Sequence, residues 1–150
     1  MAESTAVERS IWVAVPPERA WQAVTEPQHL NQWYATFYHW DIPALAAGAR
    51  VEFYNKDNHA DMQVATITVV DPPREFTLRW ESPTGYPATT LITSFLLNSE
   101  ADGTRVTIHE SGYETVPADE RQQWLDATGN GYGMSVENLK AYLEGRPIPY

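Results

Sequence analysis

Apolar residues along the chain switch between two periods, and the switches mark its elements. From Val7 to Val15, Val7, Ile11, Val13 and Val15 fall on alternate positions with Arg9 as the exception, which predicts a half-buried strand with Trp12 on its opposite face. Pro16 stops the strand. Pro17 opens a helix, because its missing amide hydrogen would be unpaired in a first turn, and Glu18 complements the helix dipole. Ala20, Trp21 and Val24 form its buried stripe. Pro27 opens a second short helix, capped by Thr25, that carries Leu30, Trp33 and Phe37.

After a connection at Ile42–Leu45, strand-like segments arrive at short intervals, near 49–55, 61–70, 74–82, 88–98 and 103–112. Their links carry turn chemistry: Asn55-Lys56-Asp57-Asn58, Asp71-Pro72-Pro73, Ser82-Pro83-Thr84-Gly85 and Ala101-Asp102-Gly103. Links this short join antiparallel neighbours. The last third starts a helix at Val116-Pro117-Ala118-Asp119-Glu120. Its stripe reads Trp124, Thr128, Tyr132, Val136, Leu139 and Leu143 at three- and four-residue spacing. Gly129, Gly131 and Gly133 interrupt it, each at a cost of about 1 kcal/mol relative to alanine, so a kink or a close approach is expected there. The pattern is that of an α+β protein: one strand, two short helices, five more strands and a long helix, packed as a curved six-stranded antiparallel sheet gripping the last helix over a hollow.

Composition narrows the function classes. At 150 residues the chain fits a single domain spanning 1–150. Twenty acidic against ten basic residues give a formal net charge of -10, which repels phosphate backbones and anionic lipid surfaces, so neither nucleic acid nor membrane is an expected partner. There is no cysteine, hence no disulfide or thiolate chemistry, and the polar start Met1–Thr5 lacks a secretory signal, which points to a cytoplasmic location. Six Trp and eight Tyr are many for this length.

Those rings supply the candidate site. Trp33, Phe37, Trp40, Phe53, Met62, Trp80, Phe95, Trp124 and Tyr132 are expected around the hollow, as a ligand wall or simply as core. Alternation places Leu91, Thr93, Phe95 and Leu97 together on one strand, and Val106, Ile108 and Glu110 together on the next. Glu110 therefore faces inward, where a carboxylate among apolar neighbours could act as acid, base or hydrogen-bond acceptor; the alternative is a frayed strand end in water or beside an arginine. His39-Trp40-Asp41 and His59-Ala60-Asp61 each place an imidazole two residues from a carboxylate, but neither has a third ligand nearby, so no metal is expected. His29 reads as helix surface and His109 as outward from the sheet. Serine-nucleophile, phosphate-loop and dinucleotide motifs are missing, and Gly129-Asn130-Gly131-Tyr132-Gly133 follows helix rather than strand, so no cofactor is implied. Ile92 and Leu96 on the outer sheet face, with Trp12 if it neighbours them, would make a homodimer patch.

A family resemblance rests on Ala14-Val15-Pro16-Pro17-Glu18-Arg19-Ala20-Trp21, Trp33, Val70-Asp71-Pro72-Pro73-Arg74, Trp80, Gly103-Thr104-Arg105-Val106-Thr107, Glu110-Ser111-Gly112-Tyr113 and Asn138-Leu139-Lys140-Ala141-Tyr142-Leu143. In order and spacing these resemble the helix-grip domains of the START and birch-pollen-allergen (Bet v 1-like, SRPBCC) superfamily, specifically those similar to the C-terminal domain of the activator of the Hsp90 ATPase. Such proteins often have Gly-Trp in the last helix where this chain has Gly131-Tyr132. The resemblance implies the fold and a pocket, while chemistries within the superfamily run from lipid and polyketide binding to cyclisation and chaperone stimulation. Three functions follow: a module binding a small hydrophobic or aromatic molecule between sheet and helix without covalent chemistry; a polyketide-cyclase-like or hydrolytic enzyme using Glu110, with Tyr132 or a histidine orienting a carbonyl; and a regulator of a chaperone ATPase, for which the chain supplies the equivalent of one domain.

Overall fold

The computed structural model describes residues 5–150; the polar start at Met1–Ser4 lies outside the described residues. Seven strands form one antiparallel sheet: β1 (Ala6–Val13), β2 (Tyr38–Asp41), β3 (Arg50–Asn55), β4 (Asn58–Asp71), β5 (Glu75–Trp80), β6 (Ile92–Glu100) and β7 (Gly103–Ser111), in the order β1-β7-β6-β5-β4-β3-β2. Three α-helices complete the fold: α1 (Pro17–Thr25), α2 (Pro27–Trp33) and α3 (Arg121–Leu143), the last preceded by a 3₁₀ turn at Tyr113–Thr115. This is the helix-grip arrangement, with seven strands where the sequence pattern predicts six. The added strand is β2, whose four residues Tyr38-His39-Trp40-Asp41 pair with Glu52–Asn55 of β3.

Alternation along the strands decides what goes inside. Val51 and Phe53, Ala65 and Ile67, Phe76 and Leu78, Phe95 and Leu97, Val106 and Ile108 are all buried on the face that meets the helices. Fully burying a side chain of this size contributes about 1.5–3 kcal/mol. α3 crosses this face over β1 and β7, burying Tyr132, Val136, Leu139 and Leu143 as the spacing predicts, whereas Leu125 and Gly129 turn inward in place of the half-buried Trp124 and Thr128. The helix is unbroken through its three glycines. Only Gly129 makes a close approach: a Cβ there would lie 2.6 Å from an Arg9 guanidinium nitrogen, whereas Gly131 and Gly133 face open space.

Several helix boundaries differ from the expected ones. α3 begins at Arg121, after a turn over Pro117–Glu120, and the Arg121 guanidinium donates to the carbonyls of Tyr113 (2.7 Å), Glu114 (3.2 Å) and Val116 (3.0 Å). Thr25 does not cap α2. Its hydroxyl donates back to the Trp21 carbonyl at 2.7 Å inside α1, and Glu26 takes the capping position without a side-chain bond. α2 ends at Trp33, so Phe37 is not on it and stands 80% exposed on the following turn. There Ala35 adopts a left-handed backbone with φ +44°, which redirects the chain into β2.

The end of α2 is held firmly. The Trp33 indole donates to the Ala23 carbonyl at 2.9 Å, and the buried Asn138 amide of α3 donates to the Trp33 carbonyl at 3.1 Å. The same amide exchanges hydrogen bonds with the backbone of Tyr150. On the outer sheet face Trp12 sits across from Arg105, and Leu96 from Thr107, so Trp12 is one pair removed from the Leu96 row. Its indole is already engaged, donating to the Glu100 carbonyl at 2.6 Å beneath the Lys140 ammonium.

Candidate functional site

Glu110 is the inward residue at the end of β7, directly across from Thr93 on β6, and is only 6% exposed. Burying a carboxyl group there demands hydrogen-bond donors, because an unpaired one would cost several kcal/mol. Three side chains from three elements supply them. The Thr93 hydroxyl donates to Oε2 at 2.5 Å across the strand pair. Gly112 then turns the chain with φ +99°, bringing Tyr113 back so that its hydroxyl donates to Oε1 at 2.6 Å. From α3, the Tyr132 hydroxyl donates to Oε2 at 2.7 Å. Further bonds hold these donors: Thr128, one helical turn before Tyr132, meets the Tyr113 hydroxyl at 2.9 Å, and the Trp80 indole donates to Thr93 at 2.9 Å.

Gly112 is obligatory in this arrangement. A Cβ at that position would lie 2.2 Å from the Thr90 carbonyl oxygen, a backbone atom with no room to yield, in addition to the strain of the left-handed turn.

Aromatic rings surround the polar cluster. Tyr34 lies at their centre, with ring centroids 5.1 Å from Trp40, 5.4 Å from Trp33, 5.9 Å from Phe53, 6.3 Å from Phe95 and 6.5 Å from Tyr132. Trp40 also packs on Phe53 and Trp80. Burial pushes the Tyr34 hydroxyl far above the ordinary tyrosine range, with the nearby Glu110 adding to the effect and the Tyr132 hydroxyl opposing it. Tyr113 and Tyr132 are raised in the same direction, by burial first. All three therefore keep their protons at neutral pH and remain donors. One donor in the group is not used: the Trp40 indole nitrogen is buried, at 1% exposure for the residue, and has no hydrogen-bond partner. Leaving a buried N–H unpaired costs about 1–3 kcal/mol.

Of the residues expected around the hollow, Trp40, Phe53, Trp80, Phe95, Glu110 and Tyr132 come together here. Trp33 is fully buried but serves the α1–α2 junction as well as the Tyr34 ring. Phe37 points away into solvent. Met62 pairs with Tyr54 on the opposite sheet face and is 38% exposed, because β4 turns its odd-numbered residues inward at that point. Trp124 stands apart at the start of α3, edge-on to Tyr86 and beside a surface cleft of about 440 Å³ lined by Tyr86–Thr89, Thr115–Pro117 and Glu120. The hollow expected between sheet and helix is occupied, with Tyr34 at its middle. Tyr34, Thr93 and Tyr113 were not singled out by sequence as site residues. A tyrosine directly after the α2 pattern, four residues past the buried Leu30, and another three residues after Glu110 across a glycine are the signals that point to them.

The two His-Asp pairs go elsewhere. His39 and His59 both pack against Tyr54, His59 stacked at 4.0 Å, while Asp61 accepts the Tyr38 hydroxyl at 2.5 Å. Among the described residues no three His, Asp or Glu side chains converge as metal ligands. No helix of the described residues is long and apolar enough to cross a membrane.

The family model for Activator of Hsp90 ATPase homolog 1-like proteins matches residues 14–144, from the end of β1 to just past α3. The chain belongs to this family. No curated protein sequence matches it. Among solved structures, this Hsp90-activator-homologue-like domain is similar to protein MLL2253 from Mesorhizobium loti, with 20% identity and a TM-score of 0.79 over 95% of this chain and 99% of that one. It is also similar to DynU16, a protein in the dynemicin biosynthetic locus, with 26% identity and a TM-score of 0.72; the match covers 99% of this chain and 51% of that one, so the domain spans about half of DynU16. A third similar structure is the Aha1 dimer from Colwellia psychrerythraea, with 18% identity and a TM-score of 0.71 over 94% of this chain and 97% of that one. Likeness at the lower identities is a likeness of fold.

Proposed function

We propose that this domain binds a small hydrophobic or aromatic molecule between the sheet and α3, with the Glu110 cluster anchoring a polar group of the ligand and no covalent step. The observation that carries this reading is Glu110 itself, buried among rings and bonded to Thr93, Tyr113 and Tyr132. An interior needed only for stability is more simply filled with apolar side chains, since a buried polar network contributes little beyond them. A site for a flat, partly polar guest needs both features, an aromatic wall and a few convergent polar groups. The test is native mass spectrometry and dye displacement with a panel of aromatic and acyl compounds. Saturable uptake that weakens at least tenfold in Glu110→Gln supports the reading. A panel that shows no uptake at all removes it.

A second reading is enzymatic, and one observation favours it: a carboxyl group and a neutral phenol, Glu110 and Tyr132, lie 2.7 Å apart, as a proton-handling residue and a carbonyl-orienting donor would. DynU16, in its biosynthetic locus, is compatible with such chemistry in a related chain. Turnover that survives unchanged in Glu110→Gln would exclude Glu110 as the catalyst.

A further inference from the structure

Tyr34 fills the centre of the interior while belonging neither to the sheet nor to a helix. It is the residue after α2, in extended conformation, and the left-handed Ala35 follows it. Its phenol is held as a ligand would be held, ringed by Trp33, Trp40, Phe53 and Phe95, with its hydroxyl toward Tyr132 and Glu110. Trp40 lies edge-on to the same ring and carries the buried indole N–H that no group of the described chain accepts. A ring placed where Tyr34 now sits would therefore have both the Glu110 cluster and the indole that carries an unused donor among its neighbours. Tyr34 brings one hydroxyl toward the first and has no second polar group for the indole.

The short segment that carries Tyr34 is lightly tied. Tyr34 closes α2 by donating its amide to the Leu30 carbonyl at 2.9 Å, and beyond it the backbone is fastened by Tyr38 donating to the Ala35 carbonyl at 2.8 Å and Lys56 donating to the Phe37 carbonyl at 3.0 Å. Phe37, at its tip, is in solvent, so outward movement drags no second buried ring with it.

We infer that the space Tyr34 occupies is a subsite for a hydroxylated aromatic ring that also bears a hydrogen-bond acceptor such as an ester or ketone carbonyl, and that Tyr34 is an internal stand-in displaced when that ligand enters. The ligand hydroxyl donates to Glu110, and its carbonyl accepts from the Trp40 indole. This deepens the binding function proposed above and rests on it.

Three probes separate the two recognition elements: methyl 4-hydroxybenzoate has both groups, methyl benzoate lacks the hydroxyl and 4-ethylphenol lacks the acceptor. Affinities are measured by titration, with 3-fluorotyrosine labelling for the Tyr34 environment and the Trp40 indole N–H followed by NMR. The expected result is binding of methyl 4-hydroxybenzoate at least tenfold tighter than either comparator. The Trp40 N–H resonance then moves with both esters and stays in place with 4-ethylphenol, and the Tyr34 fluorine signal takes on a solvent-exposed shift. Tyr34→Phe keeps the ring and removes its polar hold on the site, so it is expected to tighten methyl 4-hydroxybenzoate binding about threefold or more. Equal affinities for the three probes, an unmoved Tyr34 signal at saturation, or weaker binding in Tyr34→Phe would each overturn the inference. Uptake of an acyl compound without any of the three phenyl probes overturns it too, while leaving the broader binding function standing; uptake of nothing ends both.

Discussion

Glu110 shows how far one residue's position is dictated by strand period and how much its chemistry depends on neighbours from elsewhere. Its inward direction follows from the alternation Val106, Ile108, Glu110, and the structure has it buried. Its partners come from β6, from the turn after β7 and from α3, and contacts between elements far apart in the chain leave no mark on local periodicity. That is why an arginine or solvent was as natural an expectation for this carboxyl group as three hydroxyls. Tyr132→Phe removes one donor while preserving ring packing. It is expected to lower stability by about 1–2 kcal/mol in urea unfolding, because Oε2 retains only Thr93. A change within a few tenths of a kcal/mol would mean that water replaces the lost hydroxyl.

At the scale of elements, legibility tracked length and amphipathicity. The strands from β3 to β7 and the stripe of α3 are long enough for their periods to stand out. β2 is not: four residues of mixed character cannot establish a period, and its identity as a strand comes from pairing with β3. The three glycines of α3 suggested a kink or a close approach; the close approach is there at Gly129, and the helix runs through unbroken because packing along the Tyr132–Leu143 face overrides propensity. This difference yields a test. Because Gly131 and Gly133 meet no atoms at the Cβ position, alanine at either is expected to stabilise the protein by about 0.5–1 kcal/mol, read as a higher thermal midpoint. At Gly129 the same change must push the Arg9 guanidinium aside, so a smaller gain is expected there. Equal gains at all three sites would show that Arg9 is not packed on the helix.

Across the whole molecule, the first strand and the end of the last helix are fastened by an ionic cluster. Glu144 accepts from Lys140 at 2.9 Å, from Arg146 at 2.9 Å and from the Ala14 amide at 3.3 Å, and Lys140 also donates to the Trp12 carbonyl. The Lys140 bond, then the Arg146 bond, hold the Glu144 carboxyl down from its ordinary value of 4.5 to about 2. A carboxyl group held below its unfolded value stabilises the fold above that value, and the stabilisation is lost as pH falls through the folded one. Stability of the native chain is therefore expected to decline between about pH 4.5 and 2, and Glu144→Gln should flatten part of that decline in unfolding curves taken across this range. An unchanged slope would assign the acid sensitivity to other carboxylates among the twenty.

Asn138 has a consequence for where the interior can open. By gripping the Trp33 carbonyl while the Trp33 indole is moored to α1, it anchors the chain up to the threshold of Tyr34. The Tyr34 amide is itself bonded to the Leu30 carbonyl at 2.9 Å, so an outward swing of the phenol must turn about bonds within Tyr34, and door and doorpost are one residue while α3 need not stir.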